Sequence, residues 1–159
     1  MINWYQDKKM TIKFSAVPNV QMRLILPSMT ETEKKEIAKC PFINKTDLKV
    51  ELLDNKKRAK YIFDIQKGYT WDGATIPRPF WRLIGAKTDP KFLIPSLIHD
   101  VLCENHGYVD NDRYFSTRVF ERLLFVSGVN PISRHLMFHS VDNFQKFCNW
   151  RTQDKGAAK

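Results

Sequence analysis

No stretch of the sequence reaches the roughly 18 uncharged apolar residues that a membrane-spanning helix needs. The opening residues MINWYQDKKM also lack the apolar core of a secretory leader. The three cysteines, Cys40, Cys103 and Cys148, include no closely spaced pair, which argues against a disulfide framework and a cysteine-only zinc site. We therefore expect a soluble protein with buried thiols, made in a reducing compartment without a secretory signal.

Glycine is scarce, with six residues in the chain, and no glycine-rich loop of the kind that cradles phosphate groups is present. The serine-centred turn of the α/β-hydrolases is absent too. His135 and His139 have the i, i+4 spacing of metal ligands on a helix, but no carboxylate stands between them as a metalloprotease helix requires. We therefore expect these two histidines to be surface residues.

Acidic residues are also few, since 17 Asp and Glu stand against 26 Lys and Arg, giving a formal net charge of +9. Such an excess attracts phosphates, acidic lipid surfaces or an acidic protein neighbour. The positive residues occur in short scattered clusters, such as Lys8 with Lys9, rather than along one helix. The pattern favours a solvated basic surface and makes only a weak case for nucleic-acid binding. It indicates no oligomeric state.

The chain length of 159 residues suits one hydrophobic core, so a single domain over residues 1–159 is expected. Strand patterns fill residues 1–70 around one short helix, helical patterns fill residues 71–150, and residues 151–159 read as a frayed tail. This segregation predicts an α+β fold, in which N-terminal antiparallel strands and hairpins pack against a C-terminal antiparallel helical bundle.

Local patterns predict the individual elements. Thr30 followed three residues later by Glu33 has the spacing of a capping box and predicts a helix over Glu31–Lys39. Strands are predicted in TIKFS and NVQMRLILP, and a hairpin in LKVELLD and AKYIFDIQ around a polar four-residue loop. Helices are predicted in RPFWRLIG, in FLIPSLIHDVLCEN, in DNDRYFSTRVFERLLFVSG up to Gly128, and over residues 131–150.

The pair His99 and Asp100 lies in the middle of an apolar helix. Burial of a titratable group there costs free energy unless the group is hydrogen-bonded or a charged partner lies near it. In a purely structural interpretation, His99 bonds a backbone carbonyl and Asp100 an arginine such as Arg82 or Arg113. In a functional one, Asp112 at the start of the following antiparallel helix reaches the imidazole and orients it as a general base. Capping of its own helix is an equally good role for Asp112.

The segment YTWDGATIPRP places the carboxylate of Asp72 in a rigid proline-containing turn between aromatic residues. Most Asp-Gly pairs are only turns. Such a loop is nevertheless suited to presenting one group to a site, with Thr75 adding a hydroxyl. The sequence therefore predicts a cluster in which Asp72 and Asp100 would hold a divalent cation beside His99.

These three segments, GYTWDGATIPRPFW, LIHDVL and DNDRYF, resemble in order the motifs of a bacteriophage and prophage domain family of unknown function (DUF 1353). The resemblance covers residues 60–150. It places the family's characteristic polar residues at Asp72, Thr75, His99, Asp100 and Asp112. The sequence departs from the family pattern at position 111, where a small residue is usual, at positions 103 and 104, where Tyr-Arg is usual, and in its longer front portion.

Two functions follow from this resemblance and from the residues. The first is a phage-derived virion- or tail-associated accessory or assembly protein, made in the host cytoplasm, whose partners are other virion proteins and whose polar cluster is structural. The second is a metal-assisted hydrolase of a cell-envelope ester or amide, or of a phosphoester, with His99 and Asp112 catalytic and Asp72 and Asp100 holding a cation. A third possibility, nucleic-acid binding, follows from charge alone.

Overall fold

The computed structural model describes residues 2–6, 10–54, 56, 58–73, 84, 88–104 and 113–145. The chain divides into two compact units, Met1–Gly73 and Ala74–Lys159. The first unit contains two antiparallel sheets and one helix, and the second contains a packed bundle of three helices. The predicted α+β class and the order of its parts are confirmed.

The larger sheet has four antiparallel strands in the order β1-β2-β5-β6. Its strands are β1 (Ile2–Gln6), β2 (Met10–Phe14), β5 (Leu48–Asp54) and β6 (Ala59–Ile65). The β5–β6 pair is the predicted hairpin, with Leu52 opposite Tyr61. Alternate apolar residues such as Ile12 and Val50 are fully buried, because successive side chains of a strand point to opposite faces.

The smaller sheet has three short strands in the order β3-β4-β7: β3 (Val20–Met22), β4 (Phe42–Asn44) and β7 (Thr70–Trp71). The strand predicted in NVQMRLILP is shorter than expected, because β4 offers partners only to Val20–Met22. Phe42 and Trp71 are both buried, with ring centroids 5.8 Å apart. Gly73 follows with a positive φ of 86°, and its backbone lies against the Phe42 ring.

Helix α1 (Glu31–Lys39) begins and ends at the predicted residues. Its capping box is complete, since Thr30 Oγ1 accepts a hydrogen bond from Glu33 N at 3.3 Å and Glu33 Oε2 accepts one from Thr30 N at 2.8 Å. These bonds satisfy two of the amide groups that a helix leaves open at its start. The hydrogen bonds from Thr30 also lower the pKa of the Glu33 carboxyl below its ordinary value of 4.5.

Thr30→Ala is expected to reduce the free energy of unfolding by about 1 kcal/mol, because the side-chain half of the box is lost. The matched control is Thr32→Ala, an exposed position one residue inside the same helix. Because the folded-state pKa of Glu33 is lowered, its stabilising contribution is present above the ordinary pKa and disappears as the pH falls through the folded-state value. The difference between wild type and Thr30→Ala in urea unfolding should therefore shrink below about pH 4.5. A difference independent of pH would contradict this account.

The helical unit contains α2 (Pro90–Glu104), α3 (Arg113–Val126) and α4 (Pro131–Phe144). Both α2 with α3 and α3 with α4 are in contact. Their shared core includes buried Phe92, Phe120, Leu124, Met137 and Val141. Gly128, with a φ of 77°, ends the α3 segment as predicted, and its N–H donates to the carbonyl of Phe125.

Several predicted features lie outside the described residues. They are most of the RPFWRLIG helix, the end of α2 near residues 106 and 107, residues 146–150 of the last helix and the tail over residues 151–159. Strands β1, β4 and β7 were not predicted. In the part of the chain that the structure describes, no helix is long and apolar enough to cross a membrane.

Candidate functional site

Helix α2 carries His99 into the centre of the bundle. The helix starts where the Asp89 carboxylate accepts a hydrogen bond from Lys91 N at 2.9 Å, and Pro90 occupies the first turn, where its missing N–H costs nothing. Pro95 lies within the helix and is buried. His99 follows one turn later. Its neighbours on the helix, such as Ile98 and Leu102, are buried, so α2 is apolar on nearly all sides.

The His99 ring is buried, with 8% of the residue exposed. It packs against Phe120 of α3, with ring centroids 5.1 Å apart and planes tilted by 50°. Its Nε2 lies 3.0 Å from the side-chain amide nitrogen of Gln145, and the Cys103 sulfur lies 3.7 Å from the same ring nitrogen. The ring is therefore enclosed by groups from its own helix, from α3 and from the end of α4.

Gln145 connects these groups. It occupies the position directly after α4 and is 1% exposed. Thr117 Oγ1 on α3 donates to Gln145 Oε1 at 3.1 Å, so the Gln145 amide nitrogen faces His99 Nε2 and donates to the Cys103 sulfur as well. Since Nε2 then accepts a hydrogen bond, this arrangement assigns the ring proton to Nδ1. We call these four residues, His99, Cys103, Thr117 and Gln145, the His99 cluster.

The His99 cluster joins three helices through polar side chains in an apolar interior. Thr117 is fully buried and Cys103 is 6% exposed. A buried polar group that loses its partner costs about 1–3 kcal/mol, whereas a satisfied network fixes the relative positions of the elements that carry it. The cluster therefore specifies how α2, α3 and the end of α4 are aligned.

The predicted site residues have different outcomes. Asp100 lies beside His99, with its Oδ1 3.7 Å from His99 Nδ1, and its side chain is 26% exposed. Asp72 is exposed and follows β7, in the first compact unit rather than the helical one. Asp112 and Thr75 lie outside the described residues, so their predicted roles stay predictions. Among the described residues, no group of three His, Cys, Asp or Glu side chains is placed to hold a metal ion.

Sequence reasoning missed three members of the cluster as partners of His99. Cys103 was correctly expected to be buried, and its spacing of four residues from His99 was the available signal, because such residues share one helix face. Thr117 and Gln145 gave no comparable signal, since Gln145 lies 46 residues from His99 along the chain.

The fold and this cluster define a class of small α+β protein, with a strand-rich unit followed by three helices that share a buried polar cluster. Within that class the chain belongs to the family described as "Protein of unknown function (DUF1353)", which matches residues 47–141, more than half of the chain. The matched segment includes α2, α3 and most of α4.

A curated relative is "Uncharacterized protein y4jT" of Sinorhizobium fredii (strain NBRC 101917 / NGR234). It is 34% identical over 92 residues, which are 53% of this chain and 26% of that protein. The match thus spans about a quarter of the relative's length. No solved structure matches the chain.

Proposed function

We propose that this protein is an accessory or assembly component of a bacteriophage-derived particle, associated with the virion or its tail, and that its His99 cluster is structural. The observation that carries the proposal is the enclosure of the His99 ring, whose Nε2 lies 3.0 Å from the Gln145 amide nitrogen. The phage origin rests on the resemblance of the three sequence motifs.

A general base needs a ring nitrogen within hydrogen-bond reach of the proton that it removes from a substrate. In His99, Nε2 is occupied by a buried amide, and the side chain as a whole is 10% exposed. Nδ1 lies 3.7 Å from the carboxylate of Asp100, the next residue of the same helix. These positions favour a structural role for His99, in which it aligns the helices, rather than a catalytic role.

The charge of the chain supports an assembly role. Lys and Arg exceed Asp and Glu by 26 to 17, and clusters such as Lys34 with Lys35 lie on the surface of α1. A basic surface of this kind speeds association with an acidic protein neighbour and strengthens the encounter at low salt. The partners that this function requires are other proteins of the particle.

The proposal is tested by quantitative mass spectrometry of particles purified by two independent methods, such as density banding and size exclusion. We expect the protein at a constant copy number relative to the main capsid protein in both preparations. A basic host protein of similar size serves as the control and should be depleted at each step. Loss of the protein from the particles along with that control would refute the proposal.

The metal-assisted hydrolase remains the alternative prediction for the same residues. It requires Asp112 as orienter of His99 and a cation at Asp72 and Asp100. The stability experiment on His99 described in the Discussion separates it from the structural role, because a catalytic histidine can be replaced without unfolding the protein.

A further inference from the structure

A concavity of about 280 Å³ lies on the outside of the helical bundle, where residues of α3 and α4 meet. We call it the α3–α4 groove, and it is lined by Arg118, Glu121, Pro131, Arg134, His135, Phe138 and His139. None of these residues belongs to the His99 cluster. The volume lies at the small end of the range for ligand pockets, so the groove suits a small molecule or a single chemical group.

Arg134 is held in one position within the groove. Its Nη1 lies 3.4 Å from Glu121 Oε1, and its guanidinium carbon lies 4.7 Å from the centroid of the Phe125 ring. The side chain is 16% exposed. An arginine fixed in this way by an ion pair and an aromatic ring loses little side-chain entropy when it binds an anion.

Two buried atoms of this pair have hydrogen-bonding capacity left over. Within the described part of the chain, neither Arg134 Nε nor Glu121 Oε2 has a hydrogen-bond partner. Arg122 Nε approaches Glu121 Oε2 at 3.6 Å, which is an ion-pair distance but longer than a hydrogen bond. Buried polar atoms are usually bonded, so this pair of side chains keeps unused hydrogen-bonding capacity beside the groove.

The charges of the groove favour an anion. Glu121 is shared by Arg134 and Arg122, and no ion pair with a described carboxylate engages the partly buried Arg118. The exposed His135 and His139 have ring centroids 4.4 Å apart and add ring nitrogens at the same place. The spacing of these histidines alone would suit a metal ion, but the neighbouring arginines repel a cation.

We propose that the α3–α4 groove binds a small phosphate ester. A phosphate brings up to two negative charges and three acceptor oxygens, which match the N–H groups of Arg118 and Arg134. Phe138 and Pro131, which line the same groove, offer apolar surface to the carbon chain of the ester. Glycerol phosphate is a small ester of this kind, and it occurs free or as the repeating unit of an anionic polymer, in which each phosphate is a diester with one negative charge.

Isothermal titration calorimetry of the full chain tests the proposal with glycerol 3-phosphate, inorganic phosphate and glycerol as probes. We expect glycerol 3-phosphate to bind more tightly than inorganic phosphate, and glycerol not to bind. Arg118→Gln should weaken the ester about tenfold, because it removes a charge-assisted contact. The control Lys91→Gln removes the same charge from an exposed position on α2 outside the groove, and should leave the affinity within about twofold. Circular dichroism checks that both variants are folded.

The source of the phosphate is distinguished by competition. If poly(glycerol phosphate) displaces the free ester from the wild type, and Arg118→Gln weakens both, the proposal holds with the polymer as a ligand. If the free ester binds and the polymer fails to compete, the proposal holds for the free compound.

Three results would overturn the proposal. The first is the absence of any heat of binding with millimolar glycerol 3-phosphate. The second is an equal loss of affinity in Arg118→Gln and Lys91→Gln, which would show that the loss comes from net charge and not from a contact in the groove. The third is displacement of the ester by duplex DNA or by Zn²⁺ at lower concentration than by the polymer, since the groove would then serve a nucleic acid or a metal held by His135 and His139.

Discussion

Alanine at Gly73 is expected to lower the free energy of unfolding of the strand-rich unit by about 3 kcal/mol. The residue has a φ of 86°, which strains any residue with a Cβ, and that Cβ would lie 2.5 Å from Cε2 of the Phe42 ring. Phe42 is 1% exposed and packs beside Trp71, so the ring has no room to move aside. The measurement is urea unfolding followed by circular dichroism.

Gly68 provides the matched control for this substitution. It has a φ of 96°, but a Cβ at this position would meet no atom within 4 Å. Gly68→Ala should therefore cost only the backbone strain, about 1 kcal/mol. Equal losses at the two glycines would show that contact with Phe42 is not the reason for glycine at position 73.

His99→Ala should lower the free energy of unfolding of the helical unit by about 3 kcal/mol. The substitution removes a buried ring that packs 5.1 Å from the Phe120 centroid, and it takes away the acceptor for the Gln145 amide. Thermal and urea unfolding should shift together, and the loss should appear without any substrate or metal present.

Two further variants show whether that loss of stability comes from the polar contacts of His99. His99→Gln keeps a polar side chain on α2 and should recover part of the loss, whereas a catalytic base would gain nothing from it. Ser96 lies on the same helix and is also buried, and its hydroxyl donates to the carbonyl of Leu93 at 3.0 Å, so Ser96→Ala should cost about 1 kcal/mol. Unchanged stability of His99→Ala would reject the structural role and favour the hydrolase.

Elements specified by neighbouring residues could be predicted from the sequence. Helix α1 follows from the spacing of Thr30 and Glu33, whose side chains satisfy each other's backbone within one turn. The β5–β6 hairpin follows from two apolar runs joined by a short polar loop. The end of the α3 segment follows from Gly128, because its positive φ disfavours other residues.

Elements that depend on distant residues could not be predicted in the same way. Strand β7 has two residues, and it forms because Phe42 lies opposite Trp71 in a neighbouring strand from a remote part of the chain. Gln145 has no local pattern that marks it as buried, and only the packing of the three helices brings it to His99. The predicted grouping of Asp72, Asp100 and Asp112 around His99 stays a prediction, and Thr117 and Gln145 are partners that local spacing does not reveal.

The strand order of the larger sheet limits how far this chain can be truncated. Strand β5 pairs on one side with β2, through Met10–Phe14, and these residues precede the family-matched segment 47–141. A fragment trimmed to that segment would leave the backbone of β5 bare on one edge, an open template for aggregation. The same cut would take Phe42 from beside Trp71 and Gln145 from His99. The segment that matches the family is therefore shorter than the part of the chain that covers the edge of β5 and encloses His99.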